Sequence, residues 1–153
     1  MKQLKKNQIK VFSVPLIICE LDKQGIHLFA QCRIGRKKRI VLIDTGASQS
    51  VFDKNSEVFS DNEFNKITEE NASSGINSSI SEMYVSTIKS FALGGFVLRN
   101  YFSVFIPFDH INSMYHTIGK HKITGIIGGD ILLKYRAEIS YLDKELRLHL
   151  NIE

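Results

Sequence analysis

The sequence predicts an all-β domain, mainly strands with one or two short helices, on three observations. Ten Phe and five Tyr stand against two Pro, and Val and Ile are frequent, a composition that suits pleated, half-buried surfaces. Apolar residues alternate with polar ones or run together in short stretches, without the three-to-four spacing of an amphipathic helix. Turn signals such as Gly35-Arg36 and Gly94-Gly95 separate those stretches at short intervals. A chain of 153 residues that is 43% hydrophobic can bury one proper core and is short for two. We therefore expect a loosely held polar tail over residues 1–10 and a single domain over residues 11–153.

Taken in order, residues 11–21 read as a first strand in which Pro15 marks an edge position or a bulge. Residues 22–25 form a turn, residues 26–34 a half-exposed strand, residues 35–38 a hairpin turn, and residues 39–43 a strand returning to the core. Residues 53–72 are polar, with Phe59, Phe64 and Ile67 at mixed spacing, and read as loops around a short helix. Residues 82–93 and 96–108 are strands joined by Gly94-Gly95, and residues 109–124 a polar connection carrying His110, His116 and His121. Those histidines match no metal signature and read as ordinary loop residues. Residues 123–128 form a buried strand, and Asp130 caps a short helix over residues 131–135. Residues 137–150 close the chain as a hairpin with clear alternation in its last strand.

One stretch carries the chemistry: Ile40-Val41-Leu42-Ile43-Asp44-Thr45-Gly46-Ala47-Ser48. Its apolar run is short and rich in β-branched residues, which fits a strand covered on both faces. An acid at the end of such a strand is disfavoured in its charged form unless partners or function compensate. Gly46 has no Cβ, so another backbone can approach closely there.

At these residues the chain resembles the retropepsin-like aspartic proteases, whose signature is a strand leading into Asp-Thr-Gly-Ala. A second stretch, Gly125-Ile126-Ile127-Gly128-Gly129-Asp130-Ile131-Leu132, resembles the family's second element, an apolar pair and glycine leading into a short helix. The resemblance runs over residues 11–150. It implies a closed barrel with one lobe per chain and an aspartic endopeptidase that needs no cofactor and no metal. The family's chemistry uses two carboxylates sharing a proton. This chain has one Asp-Thr-Gly, so the resemblance implies a homodimer with an Asp44 from each chain at the shared site.

Residue roles follow from the same resemblance. Asp44, Thr45 and Gly46 form the catalytic loop, and Ala47, Ser48, Ile127 and Gly128 border the substrate. Ser74, Gly75 and Ile76 belong to a flap over bound peptide. Ala47 stands where acidic two-lobed relatives carry Ser, which implies work nearer neutral pH. Ser48 departs from the acid of retroviral members. The rival reading is a dimeric peptide-binding domain of the same fold with little or no catalysis.

Other classes are disfavoured by composition. The net charge of +4 and pI near 9.1 are mild, and the basic clusters at Lys2, Lys5, Lys6 and Lys10 and at residues 36–39 lack interleaved aromatics. Nucleic acid is therefore not expected as a partner. The spacing of Gly125, Gly128 and Gly129 makes no nucleotide loop. Cys19 and Cys32 form no metal or redox motif. The segment over residues 11–19 lacks the small-residue cleavage site of a signal peptide, and no stretch reaches transmembrane length, so no membrane association and a cytoplasmic location are expected.

Overall fold

The computed structural model describes residues 8–21, 23, 25–68, 82–117 and 122–152. Strand β1, Gln8–Glu20, begins before Val11, so Gln8, Ile9 and Lys10 lie in the sheet and not in a tail. Its first half pairs antiparallel with the last strand, from Gln8↔Ile152 to Pro15↔Glu145. Its second half pairs with β2, Ile26–Ile34, from Leu16↔Ala30 to Glu20↔Ile26. Pro15, which has no N–H to give a ladder, sits where the strand changes partner. Strand β3, Lys37–Ile43, returns beside β2 through a turn in which Gly35 has a φ of 58°, a left-handed conformation that favours glycine.

Six strands close into a barrel. The short strands β4, Val51–Asp53, and β5, Asn65–Lys66, are followed by the long hairpin of β6, Tyr84–Leu93, and β7, Phe96–Ile106. Strand β8, Gly125–Ile127, lies parallel to β3 and antiparallel to β4, and β4 lies parallel to β7. The order β2–β3–β8–β4–β7–β6 is then closed by pairing of β6 back onto β2. Strand β10, Glu145–Ile152, lies between β1 and the short β9, Glu138–Ser140. Closure removes most of the free sheet edges that a chain this rich in strands would expose.

Alternation along each strand divides the apolar residues between two cores. Leu28, Ala30, Cys32, Val41 and Ile43 face the barrel interior with Phe52, Phe59, Phe91 and Phe105. These rings meet edge to face, as in the Phe59–Phe105 pair at 5.0 Å and 87°. Phe29 and Leu42 point the opposite way, into a smaller core with Phe108, Tyr115 and Ile123. Strand β3 is thus covered on both faces, as its unbroken apolar run predicts.

The second core requires an element that the sequence reading does not contain. Helix α1, Asp109–Thr117, occupies what reads as a polar connection. Its inward face consists of Ile111 and Tyr115, one helical turn apart, and so small an apolar stripe is swamped by the polar residues around it. His110 and His116 are therefore helical, while His121 lies outside the described residues. Among the described residues no helix is long and apolar enough to cross a membrane.

Candidate active site

Asp44 is the first residue beyond β3. Its N–H donates to the carbonyl of Ile127 at 3.0 Å, so the parallel β3–β8 pairing continues into the loop. Its carbonyl accepts the N–H of Ala47 at 3.3 Å, closing a tight turn. The Gly46 N–H donates to Asp44 Oδ1 at 2.8 Å and fixes the carboxylate against the loop that carries it. A Cβ on Gly46 would lie 3.2 Å from that same oxygen, close enough to crowd it. Asp44 and Ala47 are half-buried, and Thr45, Gly46 and Ser48 are exposed.

Helix α2, Gly129–Lys134, anchors the loop from behind. The Gly129 N–H donates to the Ala47 carbonyl at 2.7 Å. The buried Ser50 hydroxyl accepts the Gly128 N–H at 2.9 Å and donates to Asp130 Oδ1 at 2.6 Å. The Ser50 N–H reaches the same carboxylate oxygen at 2.8 Å, and the Tyr101 hydroxyl donates to Asp130 Oδ2 at 3.1 Å. Burial, and then the charge and hydrogen bond of Asp130, push the Tyr101 phenol up to about 12. Gly128 is packed so closely that a Cβ there would lie 2.7 Å from the Ala47 carbonyl oxygen and 2.8 Å from the Gln49 backbone. Those are backbone atoms, so a side chain could enter only by displacing the loop.

Two expectations change. Asp130 does not cap the helix: the helix starts after Gly128 with no side-chain cap, and Asp130 turns back to Ser50. The reason is competition, because Ser50 offers a hydroxyl and an N–H to one oxygen, and charge-assisted bonds of this kind outweigh a single cap. Both Asp130 oxygens are engaged, which gives it a holding role. Ile127 is wholly buried in the main core, so it serves the site through its carbonyl and not through a side chain against substrate. Ser74, Gly75 and Ile76 lie outside the described residues.

A cavity of about 540 Å³ opens beside the carboxylate, bordered by Asp44, Thr45, Leu42, His27, Tyr115 and Tyr141. Four of these, Leu42, His27, Tyr115 and Tyr141, were not among the predicted site residues. The Tyr115 hydroxyl and His27 Nδ1 are 3.2 Å apart. Burial, and then the negative charge of Asp44, push the Tyr115 phenol up, which places the pair within electrostatic reach of the carboxylate. No sequence signal joins them: His27 reads as one residue of a strand, and Tyr115 as one of a polar connection.

Among the described residues no cluster of three or more His, Cys, Asp or Glu could hold a metal ion. Among the described residues the arrangement is that of one rigidly framed carboxylate at the edge of an open cavity. A family model described as aspartyl protease matches residues 30–131, about two thirds of the chain, and spans both the Asp44 loop and the start of α2. The chain belongs to the aspartyl protease family. Its fold is that of the retropepsin-like members. A retropepsin-like aspartic protease from Rickettsia conorii superposes with a TM-score of 0.55 at 13% identity, covering 100% of both chains. The retroviral protease-like domain of Ddi1 from Leishmania major gives a TM-score of 0.48 at 15% identity, over 81% of this chain and 94% of that one. No curated protein matches this aspartyl protease family member closely enough to transfer an activity.

Proposed function

We propose that the protein is an aspartic endopeptidase that works as a homodimer, with Asp44 of one protomer facing Asp44 of the partner subunit. The observation that carries this reading is the state of Asp44 within one chain. It sits on a loop held by Ile127, Gly129 and the Ser50–Asp130 link, and among the described residues it is the only acid bordering its cavity. Water activation and carbonyl protonation need an ionised and a protonated carboxyl side by side, and one side chain cannot be both. Asp130, the other acid near the loop, has both oxygens engaged.

In the mechanism that follows, the ionised Asp44 removes a proton from water held between the two carboxyls. The resulting hydroxide attacks the scissile carbonyl carbon, and the protonated Asp44 of the partner subunit gives its proton to the carbonyl oxygen. The tetrahedral intermediate then breaks its C–N bond as the amine nitrogen takes the proton that Asp44 drew from water, while a hydroxyl of the intermediate returns its proton to the carboxylate of the partner subunit's Asp44, releasing an acid and an amine and restoring the singly protonated dyad. The Gly46 N–H keeps each carboxylate oriented, and the exposed Thr45 supports the meeting of the two loops. Ala47 and Ser48 border the extended peptide, and Gly128 holds the loop behind it. The substrate is a peptide or an unfolded protein segment in the cytoplasm.

Replacing Asp44 by Asn is expected to reduce cleavage of a peptide library by at least about 10³-fold, while sedimentation still shows the dimer. Undiminished cleavage by Asp44→Asn would show that the reacting carboxyls lie elsewhere. Binding of peptides without cleavage by the unaltered protein would assign a peptide-binding domain instead.

A further inference from the structure

We propose that the His27–Tyr115 pair is a specificity determinant. It favours a substrate side chain with an apolar body and a neutral oxygen at its tip, tyrosine or glutamine, over phenylalanine or methionine beside the scissile bond. This rests on the reading of Asp44 as the catalytic acid, because the cavity concerned opens onto Asp44 and Thr45. A side chain entering it would belong to a residue next to the bond being cut.

The wall of this cavity is apolar at Leu42 and at Ile139 of β9, and its volume of about 540 Å³ accepts a ring or a long unbranched chain. Set into that wall is an imidazole that cannot turn freely. His27 stacks on Phe29 at 6.4 Å and meets the edge of Tyr115 at 5.9 Å, and Tyr115 in turn packs edge-on against Phe29 at 5.5 Å. Tyr115 is 2% exposed and is carried by α1, whose inward face is part of the second core. The ring stack therefore fixes both partners of the 3.2 Å contact.

That contact bears on what the other side of the imidazole offers. The neutral ring has two tautomers: with the hydrogen on Nε2 the Tyr115 hydroxyl donates to Nδ1, and with the hydrogen on Nδ1 the ring donates to the Tyr115 oxygen and Nε2 is an acceptor. Nε2 is polar in either form, and among the described residues no hydrogen bond engages it. A half-buried ring nitrogen at the edge of a cavity walled partly by Leu42 and Ile139 is best matched by a neutral group that both accepts and donates at the end of an otherwise apolar side chain, as the Tyr hydroxyl and the Gln amide do. The negative charge of Asp44, which already acts on the Tyr115 phenol, disfavours an anionic tip and selects a neutral one.

The test compares peptide pairs that differ by Tyr against Phe, or Gln against Met, at the residues flanking the cut. Unaltered protein is expected to favour the oxygen-bearing member by about tenfold in kcat/KM, the scale of one hydrogen bond made at a half-exposed site. His27→Phe removes the ring nitrogens and should bring the ratio to about one. His27→Gln, whose amide extends toward the Nε2 position, should restore part of the preference. Tyr115→Phe should reduce it through loss of the contact that orients the ring. The same pairs with a reduced, uncleavable bond give the ratio as Kd, so a protein that binds but does not cut still decides the matter. A ratio near one in the unaltered protein, or a ratio that survives His27→Phe, overturns this proposal while leaving the aspartic mechanism intact. Absence of both cleavage and binding across the library overturns both.

Discussion

At the scale of single residues, several buried polar groups are held by partners that the sequence does not announce. Asp53 is almost fully buried, and its Oδ1 accepts the N–H of Asn55 at 3.0 Å and that of Phe108 at 3.1 Å. Burial nonetheless outweighs those bonds and raises the carboxyl above its ordinary value. The folded protein therefore holds this proton more tightly than the unfolded chain, and stability falls as pH rises from the ordinary carboxylate range through the raised folded value. Asp53→Asn keeps an oxygen for both N–H groups and removes the charge. In denaturant titrations the variant should match the parent at the acid end and exceed it at neutral pH; a gap that does not change with pH would mean that Asp53 is not the titrating group. Cys32 shows the same physics: burial outweighs the Arg39 charge and backbone hydrogen bonds and pushes its thiol up to about 12, which leaves it poorly nucleophilic.

Elements determine how much of the site could be read in advance. The hairpin of β2 and β3 and the strand ending at Asp44 follow from alternation, an apolar run and a glycine turn, so the Asp44 loop was legible. The long hairpin of β6 and β7 was legible for the same reason. Helix α1 was not, because two inward residues carry its packing, and without it Tyr115 had no place in the site. Asp130 was misread for a related reason: the first turn of a helix makes an acid look like a cap, and only the fold brings Ser50 to it. That link joins the Asp44 loop to α2 and is testable as a unit. Ser50→Ala strands the Gly128 N–H and removes one bond to Asp130. It should lower unfolding free energy by about 1–3 kcal/mol, and lower kcat more than it raises KM. A loss of stability with kcat preserved would show that the link serves folding alone.

At the scale of the molecule, the barrel supplies a frame on which one acid is displayed at the surface. If catalysis needs two such surfaces, activity per chain must depend on concentration. Below the dissociation constant the dimer fraction falls with dilution, so specific activity should fall about in proportion to concentration, and the thermal midpoint should rise with concentration. Specific activity that stays constant on dilution into the monomer range, checked by sedimentation, would remove the shared site. Surface for association is present: Ile9, Val11, Leu150 and Ile152 are exposed on the β1–β10 ribbon, and Tyr141 and Leu142 at the turn before β10.

The bond from the Asp44 N–H to the Ile127 carbonyl has a consequence for the history of the chain as well as for its final shape. Strands β3 and β8 are remote in sequence, with β4, β6, β7 and α1 between them, and β4 must enter beside β8 before the barrel closes. Pairings across such separations form late, because the intervening chain must first be gathered. A nascent chain that has emerged only as far as β7 holds Asp44 on a strand end with nothing to clamp it. The loop acquires its bonds to Ile127 and Gly129 only when β8 and α2 arrive, so the framing of Asp44 is completed in the last steps of folding.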